Sequence, residues 1–543
     1  MTAAARSVLP RRPSVLSALL AALFLFVAVF RFLALKNGFP NDHFLHLAGA
    51  QQLLAGDWPT RDFQDPGLPM MYVVSAMGEL LLGQTLFAEA VVVAVAFGVA
   101  AVLTGLAVHE LTRSTLLAVV APLLEVAIFP RTYGYPKVLL YAAGFLLFQR
   151  YVSQPGTKRL VAMALAVAVA FLFRHDHGLY LAIGALLTAL LAPVASEGRV
   201  DVRAALTLAL AMALLMTPYL LYVQIHGGVA LYLRTGMEFS AREAGRQGHV
   251  WPTLAQALAS RESMLVYVFH ALPLLALLRL AYRRHDGDVR ELAARLVPLA
   301  AVAVLVNLSF IRDPLNTRLP DAIVPAALLM AWLVHDMWQA RARQPIGVPV
   351  AIALLALFSY AVAAVGHIGE ELDRAGLLVS WTRAPGYARE LAETLRTPLA
   401  PTQIPSSTAG HLLPFLAYVE RCTTPSQRLL VTGFLPEVPV LVNRPFAGGQ
   451  STFIPGYFSS EENQRLVLNR LRDEVVPFVI VPKDYASELD VAFPALMAYV
   501  RTRFEPLAAF GDDSEAGAQV LVDASMRWQS RDETTGWPCH VQN

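Results

Sequence analysis

Apolar runs recur along the first two thirds of the chain, each closed by a polar turn. A bilayer-spanning helix needs about 20 apolar residues. Eleven runs approach that length: residues 14–35, 86–109, 115–129, 137–152, 160–173, 178–195, 204–223, 265–280, 292–310, 321–334 and 346–365. Between the first and second lies a loop, 36–85, with two further helical patterns, one from Asp42 to about Leu54 and an amphipathic one over 70–82. The second is short and carries Glu79, which suits a helix lying on the membrane surface. Beyond residue 365 the pattern changes. Short apolar runs at 428–433, 438–443, 476–481 and 520–523 read as strands, and 461–473 and 492–503 as helices between them. The expected fold is a multi-pass α-helical membrane protein with about eleven transmembrane helices over residues 1–366. A small extracytoplasmic α/β domain over 367–543 would follow it.

The first apolar run follows Arg6, Arg11 and Arg12. It is too long for a signal peptide, and no small-residue cleavage site follows it. An uncleaved basic start places the N-terminus in the cytoplasm. Eleven spans then put the C-terminal domain outside. Basic residues are more numerous on the turns this makes cytoplasmic, among them Arg113, Arg150–Arg159, Arg199–Arg203, Arg279–Arg295 and Arg341–Arg343.

Composition agrees. Of 543 residues, 56% are hydrophobic and only 15% charged, against about 25% in soluble domains. A net charge of +2 argues against nucleic-acid binding. Two cysteines, Cys422 and Cys539, exclude a disulfide-rich scaffold. Both fall in the outer domain, where an oxidising compartment would allow them to pair, although sequence alone cannot bring them together.

Ionisable residues gathered at one membrane face are costly unless used or paired. Three clusters fall on the outer side. The first is Asn41-Asp42-His43-Phe44-Leu45-His46, with Asn41 placed as an N-cap and Asp42 and His46 one helical turn apart. It continues through Gly56-Asp57-Trp58-Pro59-Thr60-Arg61-Asp62-Phe63-Gln64-Asp65-Pro66-Gly67-Leu68-Pro69. The second, Arg131 to Lys137, holds two cations and two tyrosines. The third is Arg174-His175-Asp176-His177. Another turn, Arg312 to Arg318, adds cations. The long outer loop 224–263 reads either as a lid over a donor or as a passive helix on the membrane surface.

The acidic residue just after the first span, the helix behind it and the stretch from Gly56 to Pro69 resemble the first outer loop of GT-C membrane glycosyltransferases. More narrowly, they are similar to the bacterial dolichyl-phosphate-mannose-protein mannosyltransferase-like group, which includes aminoarabinose transferases and lipopolysaccharide-core Rgt-type enzymes. The matching motif is confined to residues 41–75. The resemblance implies a sugar donor on polyprenyl phosphate and a lipid, glycan or protein acceptor, in a bacterial cytoplasmic membrane whose lipids surround the protein. It implies that Asp42 is the general base on the acceptor hydroxyl. Where many relatives have Asp-Glu, this chain has Asp42-His43. The second outer loop lacks the acidic pair some relatives carry there, so no cofactor is expected, with a divalent metal left open.

The residues support such chemistry in their own right. Glycosyl transfer needs a base near the attacking hydroxyl and cations where charge develops on the departing phosphate. Arg131, Lys137, Arg174 and Arg318 are the expected phosphate cations, with His175 and His177 assisting. His43, His46, Asp62 and Asp65 are candidates for the acceptor side, although Asp before Pro or Gly is more often a turn residue. His43, His46, His175, Asp176 and His177 would make a metal site only if the two segments met. The rival reading is a transporter or flippase for a lipid-linked or anionic solute. Such a protein should show paired halves with interrupted helices, and no internal symmetry of that kind is visible.

Overall fold

A computed structural model of the chain describes residues 15–246, 251–308, 318–342, 346–378, 381–511, 516–528 and 530–539. Arg6, Arg11, Arg12, Arg312 and Arg343 lie outside the described residues. The chain begins with α1 (Val15–Leu33) and then a loop carrying α2 (Asn41–Leu54) and α3 (Pro69–Leu82). There follow α4 (Leu86–Thr112), α5 (Thr115–Ala127), α6 (Tyr135–Ser153), α7 (Thr157–Phe173), α8 (His175–Glu197) and α9 (Val202–His226). A second excursion holds α10 (Val229–Arg246) and α11 (Leu254–Ala259). After it come α12 (Arg261–Tyr282), α13 (Val289–Asn307), α14 (Ile323–Gln339) and α15 (Gly347–Val365).

Among the described residues, each of the eleven apolar runs therefore forms a helix. Among the described residues, seven are long and apolar enough to cross a membrane: α1, α4, α8, α9, α12, α14 with the turn before it, and α15. The other four fall short for visible reasons. α5 has 13 residues and α7 has 17. α6 carries Lys137 and Arg150 near its two ends, and α13 opens with Arg290, Glu291 and Arg295.

α4 packs against α1, α5 and α6, while α8 packs against α7 and α13. Along α4, Ala88, Ala90, Gly98, Ala100, Ala101, Gly105 and Ala107 are buried. Small residues let backbones approach closely where lipid offers no competing hydrophobic drive. Polar links tie the helices further. Thr104 donates to Glu125 Oε2 at 2.7 Å, joining α4 to α5. Arg279 and Arg283 both hold Asp336 at 2.5 Å, joining α12 to α14.

The C-terminal region contains a four-stranded sheet of β1 (Leu429–Val431), β2 (Phe478–Pro482), β3 (Phe504–Phe510) and β4 (Ala518–Asp523). Its order is β1-β2-β4-β3, with β1 parallel to β2 and the other pairs antiparallel. Helices Glu461–Asp473 and Pro494–Arg503 fall where the sequence places them. The segment 438–443 does not form a strand, because Glu437–Leu441 is a short helix. A short run buried all round has no period that separates helix from strand, and Pro439 removes a ladder donor. β3 was not expected. Cys422 and Cys539 form a disulfide that fixes the end of the chain to helix Leu413–Cys422.

The first loop is docked onto this region. Gln51 donates to the Val440 carbonyl at 3.1 Å and Gln52 to that of Phe446 at 2.8 Å. Arg428 pairs with Asp57 at 2.6 Å, and the backbone N–H of Gln64 reaches the Gly449 carbonyl at 2.9 Å.

Candidate functional site

Loop and helix termini at the end of the bundle facing the sheet region surround a cavity of about 710 Å³. The three polar clusters, far apart in sequence, meet in it. Asp42, His46, Arg131, Lys137, Arg174, His175, Asp176 and Arg318 all line it.

Asp42 sits in the first turn of α2. The helix begins one residue earlier than expected. Pro40 occupies the cap position, and its carbonyl accepts from the His43 N–H at 2.9 Å, so Asn41 does not cap with its side chain. The Asp42 carboxylate is half exposed to the cavity, 3.8 Å from the Arg131 guanidinium, which is itself 43% exposed. Arg131 also donates to the Tyr133 hydroxyl at 2.8 Å.

The other cations are deeper. Lys137, 3% exposed, donates to Asp321 Oδ2 at 2.5 Å. Arg318 approaches the same oxygen at 3.8 Å. Arg174 stands just before α8 and grips Asp176 with two bonds, 3.2 and 3.1 Å. Four cations thus face three carboxylates, which leaves one excess positive charge in the cavity. Asp321, which holds two of the cations, was not among the residues expected at the site. An acid opening an otherwise apolar helix is the signal that marks it.

The histidines divide. His46 lines the cavity, buried, and its Nδ1 has no partner among the described residues. His175 stacks on Phe171 and lies 3.3 Å from the Tyr232 hydroxyl. His43 lies behind the cavity, bonded to Glu89 at 2.7 Å and Thr132 at 2.9 Å. His177 is also behind it, held by the Tyr141 hydroxyl at 2.6 Å. Among the described residues no group of three or more His, Cys, Asp or Glu is arranged to hold a metal.

Asp62 and Asp65 do not line the cavity. Asp62 accepts from the Trp58 N–H and from Arg61 within its own turn. Asp65 Oδ1 accepts from the N–H groups of Gly67 and Leu68 at 3.0 and 2.8 Å, shaping the turn. Its Oδ2 accepts from the Tyr232 hydroxyl of α10 at 2.9 Å. Burial pushes this carboxyl above its ordinary value, against those hydrogen bonds. Gly67 is needed here: its φ is +103°, and a Cβ would come 2.6 Å from the His175 ring.

α10 forms one wall through Tyr232, Met237 and Phe239. The sheet region continues that wall with Phe434, Tyr457, Phe458 and Tyr485. These aromatics were invisible as site residues, because nothing local marks the loops that bring them there.

No family model and no curated protein matches the chain. Solved structures do. The crystal structure of ArnT from Cupriavidus metallidurans bound to undecaprenyl phosphate has a TM-score of 0.51 at 14% identity, over 93% of this chain and 98% of that one. The oligosaccharyltransferase of Archaeoglobus fulgidus in the apo form has a TM-score of 0.47 at 11% identity, over 93% of this chain and 74% of that one. The likeness to ArnT covers nearly the whole of both chains, and this chain shares that protein's membrane fold.

Proposed function

We propose that this protein is an integral-membrane glycosyltransferase, moving a hexose or pentose from a polyprenyl-phosphate donor to a hydroxyl of a lipid, glycan or protein. The reading places it in a bacterial cytoplasmic membrane, with residues 1–366 as the catalytic module and residues 367–543 on the outer side. The observation that carries it is the meeting of one open carboxylate, Asp42, with four cations in a single cavity. The ArnT structure of like fold holds undecaprenyl phosphate, which supports a polyprenyl-phosphate donor here.

The chemistry follows from the geometry. The acceptor hydroxyl gives its proton to an Asp42 oxygen as its own oxygen bonds to the anomeric carbon. The bond from that carbon to the phosphate oxygen breaks, and its electron pair leaves with the phosphate. The single excess positive charge suits the one negative charge of a sugar phosphodiester. Further charge developing on the leaving phosphate meets Arg131, Lys137, Arg174 and Arg318, aligned before reaction begins. Arg174 and Arg318 offer planar forks to phosphate oxygens, while Lys137 acts as a point charge.

The test supplies the reconstituted full chain with radiolabelled polyprenyl-phosphate sugars and follows the sugar–phosphate bond. Label moved to envelope material, with that bond broken, supports the reading. Donor carried across the vesicle membrane with the bond intact would replace it with a flippase.

A further inference from the structure

The cavity has two unlike walls. The bundle side carries the charges, and the side formed by α10 and the sheet region is aromatic. Phe239 of α10 packs edge-on against Tyr457, centroids 5.1 Å apart, and stacks on Phe458 at 6.1 Å. A second space, a groove of about 560 Å³, continues from this wall. Ile454, Tyr457 and Tyr485 border both, and the groove runs on past Arg242, Gly456, Ser459 and Glu488. Gly456 has φ +87°, and a Cβ there would come 3.1 Å from the Arg242 guanidinium. Any other residue at 456 would strain the backbone and crowd the Arg242 guanidinium at the groove.

We infer that this groove is the acceptor subsite and that the acceptor is a saccharide, which enters between α10 and the sheet region and presents one hydroxyl to Asp42. The inference rests on the glycosyl-transfer reading of the cavity. A sugar ring has flat faces of C–H groups that pack on aromatic rings, and a rim of hydroxyls. Those hydroxyls accept hydrogen bonds from a guanidinium and donate them to a carboxylate. The groove offers Tyr457 and Tyr485 for the faces, and Arg242, Ser459 and Glu488 for the rim. Its aliphatic lining is Ile454 and Pro455 alone, too little to hold an acyl chain, whose binding grows with every buried methylene. The aromatic wall also stands opposite the cations, so donor phosphate and acceptor approach from different sides.

The test uses the full chain in vesicles, a labelled polyprenyl-phosphate sugar that it consumes, and an envelope extract as acceptor. The linkage formed is read by mass spectrometry of product fragments. A sugar–sugar linkage is expected. Tyr485→Ala and Arg242→Ala should each raise the half-saturating acceptor concentration about ten-fold, and Arg242→Ala, outside the donor cavity, should leave the donor KM unchanged. A linkage to an amino acid or to a non-sugar lipid overturns the inference, as does unchanged acceptor saturation in both variants. Wild-type protein that consumes no donor defeats the transfer reading itself, and this inference with it. Arg242 is exposed on α10, so its variant keeps the test meaningful should Tyr485→Ala fail to fold.

Discussion

Replacing Asp321 with Asn strips the Lys137 ammonium of its carboxylate in a place water barely reaches. The two side chains are 3% and 7% exposed and 2.5 Å apart. Asn keeps the volume, so the effect is one of charge. Removing one partner of a buried pair costs about 3–5 kcal/mol, because the other charge is left uncompensated. Arg318 shares the same carboxylate at 3.8 Å, which places the expected loss in the upper half of that range. Lys137→Met combined with Asp321→Leu removes both charges at similar volume. Such exchanges range from neutral to stabilising by about 1–4 kcal/mol. Arg318 loses this carboxylate in both variants, so the double variant should regain the part of the stability that belongs to Lys137, yet remain unable to use donor. The assay is the unfolding midpoint of detergent-purified protein by tryptophan fluorescence, beside transfer in vesicles. A double variant as unstable as Asp321→Asn would show that the two charges are not coupled. One that transferred sugar at the wild-type rate would remove Lys137 from the phosphate site.

Three further outcomes are expected. Burial raises Glu437 from 4.5 to about 7, so the fold prefers its protonated form; that stability is full below pH 4.5 and is lost as pH rises through about 7. Glu437→Gln should thus raise the melting point of the sheet region at pH 8 and far less at pH 5, and an equal gain at both would refute this. The Tyr232 hydroxyl fastens α10 to Asp65 at 2.9 Å; Tyr232→Phe should speed limited trypsin cleavage at Arg234 and Arg242 about ten-fold, as expected for losing a hydrogen bond of about 1.5 kcal/mol. The Cys422–Cys539 bond closes a sequence separation of 117 residues; replacing both by Ser should lower the stability of the sheet region by about 2–5 kcal/mol, read by amide exchange along Leu413–Cys422.

What the chain reveals in one dimension depends on the range of the interaction. The eleven apolar runs were legible because lipid demands a continuous signal of fixed length. Helix Glu461–Asp473 was equally plain, and the Ser460 hydroxyl caps it by accepting from the Asn463 N–H. Segment 438–443 was misread and Phe504–Phe510 missed for one reason. Their structure is decided by partners elsewhere: Glu437–Leu441 is buried among them, while β3, largely exposed, is a strand through its pairing with β4 and carries Pro506 beside a register shift. At the site, Asp42, Arg131, Lys137 and Arg174 stood out as charges at a membrane boundary. Asp321 did not, since its meaning lies in Lys137, 184 positions away. Tyr232 and Tyr457 look like ordinary aromatics until α10 and the sheet region are folded against the bundle. The division of the histidines was also hidden, because the partners of His43 and His177, Glu89 and Tyr141, come from other helices.

The central claim is that Asp42 takes the acceptor proton. Its most direct measurement is single-turnover sugar transfer by Asp42→Asn against wild type, with donor bound to saturation in both and donor affinity measured in parallel. A fall of about 10²–10⁴-fold in the transfer rate with donor affinity unchanged is the expected result. Transfer by Asp42→Asn at the wild-type rate would contradict it and move the base elsewhere in the cavity.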